Sequence, residues 1–283
     1  TRFKENNISE KKPFAPLFGK PIIFWIIRDL FGSNQIKNIR VILKRPLRSE
    51  IETMNKLISI FGSRLNFSIQ INTDGILKGL LECTNDMRGH ILIVNGDTLL
   101  PCRLPKLKNE VTVFASKRKD DCIGGCGKII SSDRGNLVSI IRTSGLERNE
   151  FSSSTGMYIL QIESMREQIV NNNFSSIDDY LSTLCKNLYV KVKNLKTYFC
   201  DIGTPVGYKK ACTDFNLIKK SFKMALIDRD GTLNINNGHL TAKKNPELIK
   251  KNILQIKNFN GDFNFVVSNQ SAIAKGLITI EEL

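Results

Sequence analysis

The feature that most constrains this chain is alternation. Short apolar runs rich in β-branched residues take turns with segments whose apolar positions recur at helical spacing. "NIRVILK" (Asn38–Lys44) reads as a strand and "RSEIETMNKLISIFG" after it as a helix. "NFSIQIN" is again a strand, "ILKGLLECTNDM" a helix, "HILIVNGD" (His90–Asp97) a strand ending in a turn, and "EVTVFASK" another strand. "GKIISSDRGNLVSIIR" has the form of a hairpin turning at Asp133-Arg134-Gly135. "STGMYILQ" follows as a strand, then "SIDDYLSTLCKN" as a helix with Ser176 at its N-cap, then "LYVKVKN" and "KTYFCDIG" as strands. This order predicts an α/β fold with a Rossmann-like, mostly parallel sheet and helices on both faces. The polar, basic stretch Tyr208–Lys223 ends it. A fresh strand, "MALID", then opens a second α/β unit, so the expected domains are 1–218 and 223–283.

Composition narrows the function classes. Of 283 residues, 41% are hydrophobic and 24% charged, which is ordinary for a globular chain. The most apolar stretch, "PIIFWIIRDLF" (Pro21–Phe31), is too short for a bilayer and carries Arg28 and Asp29, so it reads as a buried helix. No membrane association is expected. The net charge of +15 comes from lysines spread through the chain, without a basic tract or aromatic–basic interleaving. It suits anionic small substrates better than nucleic acid, and no nucleic-acid partner is expected. Seven cysteines without metal-site spacing, Cys122 and Cys126 being the closest pair, read as reduced thiols of a cytoplasmic protein.

Two aspartates close strands where open α/β sheets bind ligands: Asp97 after "ILIVNG" and Asp201 after "KTYFC". Carboxylates at neighbouring strand ends can hold one Mg²⁺, a hard cation that keeps positions open for phosphate oxygens. A strand-terminal aspartate also serves as a turn former or N-cap. The surrounding motifs, "VNGD", "STGMYIL" (Ser154–Leu160) and "YFCDIGTPVGYKKA" (Tyr198–Ala211), occur in an order that resembles the sugar-1-phosphate nucleotidylyltransferases, or nucleoside-diphosphate-sugar pyrophosphorylases. The start of the chain is similar as well. "TRF" matches the end of that family's Gly-rich loop, Lys12-Pro13 its Lys-Pro segment, and Gly19-Lys20-Pro21 its first helix start. The resemblance covers about residues 1–215 and implies that the first strand and the loop glycines lie before Thr1.

What the resemblance implies is transfer of a nucleotidyl group between two anions. Arg2 and Lys12 are the expected catalytic cations, Asp97 and Asp201 the Mg²⁺ ligands, and Gly75, Asn95, Gly96, Gly156 and Tyr158 the nucleotide- and substrate-binding residues. Two departures from the family pattern are visible. "DGILKGL" keeps only Gly75 of the base-binding Leu-Gly-Thr-Ala-Gly, and "VSIIRTSG" lacks the Glu-Lys pair, leaving Arg142 as the one candidate cation there.

The second unit has its own constellation. "MALIDRDGTLN" runs an apolar strand into Asp228 and Asp230, and a second strand, "FNFVVS", ends in Ser268 followed by Asn269. One carboxylate as nucleophile and the other as acid/base suits phosphoryl transfer through an aspartyl phosphate. Parallel pairing would set Ser268 beside Asp228, where it could bond a phosphate oxygen. "DRDGTLN", "GHL" and "SNQSAIAKGLIT" resemble the haloacid dehalogenase superfamily and, within it, the D-glycero-D-manno-heptose bisphosphate phosphatases. The resemblance implies Asp228 as nucleophile, Asp230 as acid/base, Mg²⁺ held by the Asp228 carboxylate and the Asp230 carbonyl, and Ser268 and Asn269 at the phosphate. It also implies that the remaining motifs lie beyond Leu283, so these 283 residues alone are expected to show no phosphatase turnover.

Together the two resemblances imply a bifunctional sugar-nucleotide biosynthesis protein. It would transfer NMP from an NTP, GTP by this reading, to D-glycero-D-manno-heptose 1-phosphate on the way to surface glycans. The alternatives are another hexose 1-phosphate, or a non-catalytic sugar-nucleotide-binding regulator. A homo-oligomer is compatible with either.

Overall fold

In the computed structural model, residues 11–71, 75–99, 104–118, 127–142, 151–172, 174, 176–195, 200–202, 205–213, 224–236, 246–259, 263–277 and 279 are described. The chain divides into two compact units, Thr1–Lys219 and Lys220–Leu283.

In the first unit a tight hairpin, β1 (Pro16–Leu17) and β2 (Lys20–Pro21), leads into α1 (Ile22–Phe31). Phe18 and Gly19 turn it at φ +47° and +72°. Pro21, its φ fixed near −65°, stands at the N-cap. α1 is apolar nearly all round, as a core helix must be. Ile22 to Ile27 and Leu30 are buried, and the Trp25 indole N–H donates to the Leu17 carbonyl at 2.8 Å.

β3 (Ile39–Lys44) and β4 (Leu65–Gln70) pair in parallel across α2 (Arg48–Phe61). This is the crossover geometry that parallel neighbours require. α3 (Ile76–Cys83), β5 (His90–Val94), β6 (Thr98–Leu99), β7 (Thr112–Arg118), β8 (Gly127–Ser131), β9 (Leu137–Arg142) and β10 (Phe151–Gln161) follow. Then come α4 (Ile162–Asn171), α5 (Ile177–Leu184), β11 (Lys191–Leu195), β12 (Cys200–Asp201) and α6 (Pro205–Thr213).

The main sheet has six strands in the order β11-β7-β10-β8-β9, with β5 also on β10. It corrects the expectation of a mostly parallel sheet. β10 runs antiparallel to β5, β7 and β8, β8 is antiparallel to β9, and within this sheet's described pairings β11–β7 is parallel. The reason is the β8–β9 hairpin. It stands where a crossover helix would, so β10 re-enters the sheet reversed. Strand–helix alternation in sequence does not register that reversal.

The core lies between this sheet and α3, α4 and α5, around Leu77, Val113, Leu160, Met165, Tyr180 and Leu181. Ser176 caps α5 as the sequence predicts, its hydroxyl accepting from the Asp179 N–H at 3.1 Å. α4 was not anticipated from sequence. Its turns are polar outside and inserted directly after β10, with the Gln161 side chain accepting from the Ser164 N–H at 2.7 Å.

In the second unit β13 (Met224–Asp228) and β14 (Phe263–Val267) pair in parallel, with α7 (Lys250–Asn258) between them in sequence and α8 (Ser271–Ala274) after. The pairing sets Asp228 opposite Val267, one residue before Ser268.

Candidate functional site

The first constellation forms where three backbone segments meet. Past the end of β5 the chain turns through Gly96 and Asp97 into β6, and β6 pairs antiparallel with β12, Thr98 facing Asp201 and Leu99 facing Cys200. The Ile202 N–H donates to the Asp97 carbonyl at 2.9 Å. Two aspartates more than a hundred residues apart in sequence are thereby brought to adjacent backbone positions.

The Lys-Pro segment closes on the same turn. Lys12 Nζ lies 3.5 Å from Asp97 Oδ2, with the two side chains about a third exposed. A Cβ on Gly96 would come 3.1 Å from Pro13 Cγ, a tight contact, so Pro13 packs closely on the glycine. Arg2 and Thr1 lie outside the described residues.

Behind the turn, the Asn95 N–H donates to the Gly156 carbonyl at 2.9 Å. Gly156 sits at φ +72° in β10, under the Asn95 side chain. Gly75 stands at the N-cap of α3 with φ +99°, a conformation side-chain-bearing residues avoid.

Tyr158, expected at the substrate, is placed differently. Its ring is 4% exposed and belongs to the core under β10. Its hydroxyl donates to Asp178 Oδ1 at 3.2 Å and lies 2.9 Å from Ser154 Oγ. Burial raises the Tyr158 pKa, the Asp178 charge adding to it. Burial also raises Asp178, against the opposing pull of the Tyr158 hydroxyl and of Arg142. This ties Arg142, at the end of β9, electrostatically to the same cluster. Tyr208, in the helix after the "DIGTP" stretch, donates its hydroxyl to the Pro16 carbonyl, and burial pushes it up to about 12.

Among the described residues no group of three His, Cys, Asp or Glu gathers.

In the second unit Asp228 is exposed at the tip of β13, and Asp230 two residues on is encircled. Arg229 reaches both its oxygens at 3.1 and 3.2 Å, and Asn234 donates to Oδ1 at 3.3 Å. Gln270 donates to Oδ2 at 2.8 Å. The Ser268 hydroxyl, expected beside Asp228, donates instead to Asp230 Oδ2 at 3.2 Å. Arg229 first, then Gln270 and Asn234, hold the Asp230 pKa below the usual carboxylate range. Asn269 is exposed. Arg229, Asn234 and Gln270 were not singled out from sequence; Arg229 and Asn234 are near neighbours of Asp230 in the chain, whereas the β13–β14 pairing brings Gln270 to it.

No family model matches the chain. The D-glycero-alpha-D-manno-heptose 1-phosphate guanylyltransferase of Campylobacter jejuni is 24% identical over 213 residues, 74% of this chain and 92% of that protein. HddC from Yersinia pseudotuberculosis superposes with a TM-score of 0.58 at 20% identity, over 75% of this chain and 93% of its own. It has also been solved complexed with GMP-PN. CTP:phosphocholine cytidylyltransferase from Streptococcus pneumoniae superposes with a TM-score of 0.58 at 17% identity, over 75% and 92%. No helix among the described residues is long and apolar enough to cross a membrane. Over about three quarters of its length the chain shares its fold with these solved structures.

Proposed function

We propose that the first unit transfers a nucleotidyl group from an NTP to a sugar 1-phosphate. The observation that carries this reading is the convergence of Lys12, Asp97 and Asp201 from three distant segments. A sugar-phosphate oxygen forms a bond to the α-phosphorus, the bond from that phosphorus to the bridging oxygen breaks, and pyrophosphate leaves with the electron pair. Both reactants are anions, so charge neutralisation and alignment supply most of the rate. Asp97 and Asp201 would hold Mg²⁺, which supplies Lewis-acid neutralisation of phosphate oxygens when bound. Lys12 contributes a cation beside Asp97, and Arg2 a planar fork for the triphosphate. Gly96 and Gly156 let Pro13 and the Asn95 side chain pack closely at the turn that carries Asp97.

The heptose 1-phosphate and GTP are the finer assignment. The name of the Campylobacter relative and the GMP-PN complex of HddC support it. Arg142 in place of the expected Glu-Lys pair favours keeping a second reading, another sugar 1-phosphate.

For the second unit we propose a haloacid-dehalogenase-type phosphatase site, with Asp228 as nucleophile and Asp230 as acid/base. The parallel β13–β14 pair and the Ser268–Asp230 bond support it. The Asp228 carboxylate and the Asp230 backbone carbonyl would hold Mg²⁺, as oxygen ligands at a strand tip can.

The test is a panel of NTPs and sugar 1-phosphates offered to the protein. Mg²⁺-dependent pyrophosphate release that falls at least about 100-fold in Asp97→Ala is expected. Release that survives Asp97→Ala, or silence across the panel, sinks the reading. Hydrolysis of a sugar bisphosphate that persists in Asp228→Asn would sink the phosphatase assignment.

A further inference from the structure

Glu50 is a carboxylate buried in α2, its side chain 0% exposed, yet it belongs to none of the motifs discussed above. It holds one neighbour of the Lys-Pro segment by two contacts and its own helix start by a third. Oε1 accepts the Lys11 backbone N–H at 3.1 Å, and Oε2 lies 3.1 Å from Lys11 Nζ. Oε2 also accepts the Leu47 N–H at 2.8 Å, fixing the first turn of α2.

The Lys11 ammonium has three donors, and three oxygens surround it. Besides Glu50 these are the carbonyls of Lys44 and Arg45, each at 2.6 Å. Arg45 stands at φ +46°, a left-handed conformation rare for a side-chain-bearing residue. Such departures persist where the surroundings hold them and cluster at functional sites. Here it lets two successive carbonyls at the end of β3 accept from the same ammonium.

The next residue, Lys12, reaches Asp97, and the one after it, Pro13, packs on Gly96. The segment is therefore gripped from behind by Glu50 and the end of β3, and faces the Asp97 turn in front.

We propose that Glu50 is a positioning residue that, through Lys11, sets the Lys12 ammonium against Asp97 for nucleotidyl transfer. It touches neither reactant; it fixes the backbone from which Lys12 projects. The inference rests on the transfer reading for Lys12, and the tests separate the two. A misplacement of about 1 Å at a reacting centre costs about 100-fold in rate.

Three variants of the full-length protein are compared: Glu50→Gln, which keeps shape and an acceptor oxygen; Lys11→Met, which removes the ammonium and leaves Glu50; and Lys12→Ala. Glu50→Gln and Lys11→Met should each lower kcat by about 10- to 100-fold with KM changed by less than about threefold. In a Lys12→Ala background, Glu50→Gln should change kcat by less than about twofold, because the group it orients is gone. A Lys11→Met enzyme with wild-type kcat, or a Glu50→Gln loss that persists undiminished without Lys12, overturns the proposal.

A readout independent of activity accompanies this. Acylation of Lys12 by a small amine-reactive ester, followed by mass spectrometry of its peptide, should be several-fold faster in Glu50→Gln than in wild type. Other exposed lysines, such as Lys209, serve as the internal reference. Unchanged Lys12 labelling overturns the proposal, even if the protein were inactive across the substrate panel and the transfer reading had failed by itself.

Discussion

The side chain of Asn95 lies across the Cα of Gly156, so close that a Cβ there would come within 2.5 Å of Asn95 Nδ2. Gly156 is also at φ +72°. Both facts make it a glycine position, and Asn95 is two residues before Asp97. Gly156→Ala should cost about 1–3 kcal/mol from the backbone conformation alone, with a further loss as Asn95 is displaced. Urea unfolding followed by circular dichroism measures it; a midpoint equal to wild type would contradict the packing.

Tyr158 supplies the second prediction. Its hydroxyl is a donor to the buried, raised-pKa Asp178. Tyr158→Phe leaves Asp178 with one partner fewer and should cost about 1–2 kcal/mol. Without that donor, which favours the carboxylate form, the Asp178 pKa should rise further, as carboxyl-carbon NMR of the labelled protein would detect.

The third concerns acid. Arg40 grips Asp86 with two N–H groups at 2.6 and 2.8 Å and holds its pKa at about 2, below the ordinary value. A carboxylate with a depressed folded-state pKa contributes stability above its unfolded pKa, near 4, and loses it as pH falls towards the folded value. Wild type should therefore lose stability between about pH 4 and pH 2 more steeply than Arg40→Met. Urea midpoints across that window decide it. Parallel curves for the two proteins would remove Arg40 as the cause.

The fourth uses the single tryptophan of the sequence, Trp25. It is 0% exposed with its indole N–H bonded to Leu17. Its emission should be blue-shifted and poorly quenched by acrylamide in the native state, and should red-shift on denaturation in a transition reporting the first unit. Trp25→Ala should cost about 3–5 kcal/mol, read by circular dichroism. Ready quenching of the native protein would contradict the burial.

Much of the first unit was legible in sequence because its signals are local. The parallel pair β3–β4, the helix α2 between them, the cap at Ser176 and the hairpin β8–β9 follow from periodicity and turn chemistry over windows of a few residues. The antiparallel course of β10 was not legible. Every residue of β10 from Thr155 to Leu160 is buried, so neither face is marked and its direction depends on the hairpin before it. The same loss of alternation hid which side Tyr158 takes. Glu50 was unmarked for a related reason: in sequence it is one acid in the first turn of an amphipathic helix, and its link to Lys11 spans 39 residues.

What the amino-acid order determined alone was the set of elements and the residue types at their ends, since propensity, capping and turns act between near neighbours. Which of those ends meet, and so whether Lys12, Asp97 and Asp201 can share one task, was decided only by tertiary structure. The reason is that contacts between distant segments are set by how the apolar faces of whole strands and helices bury one another.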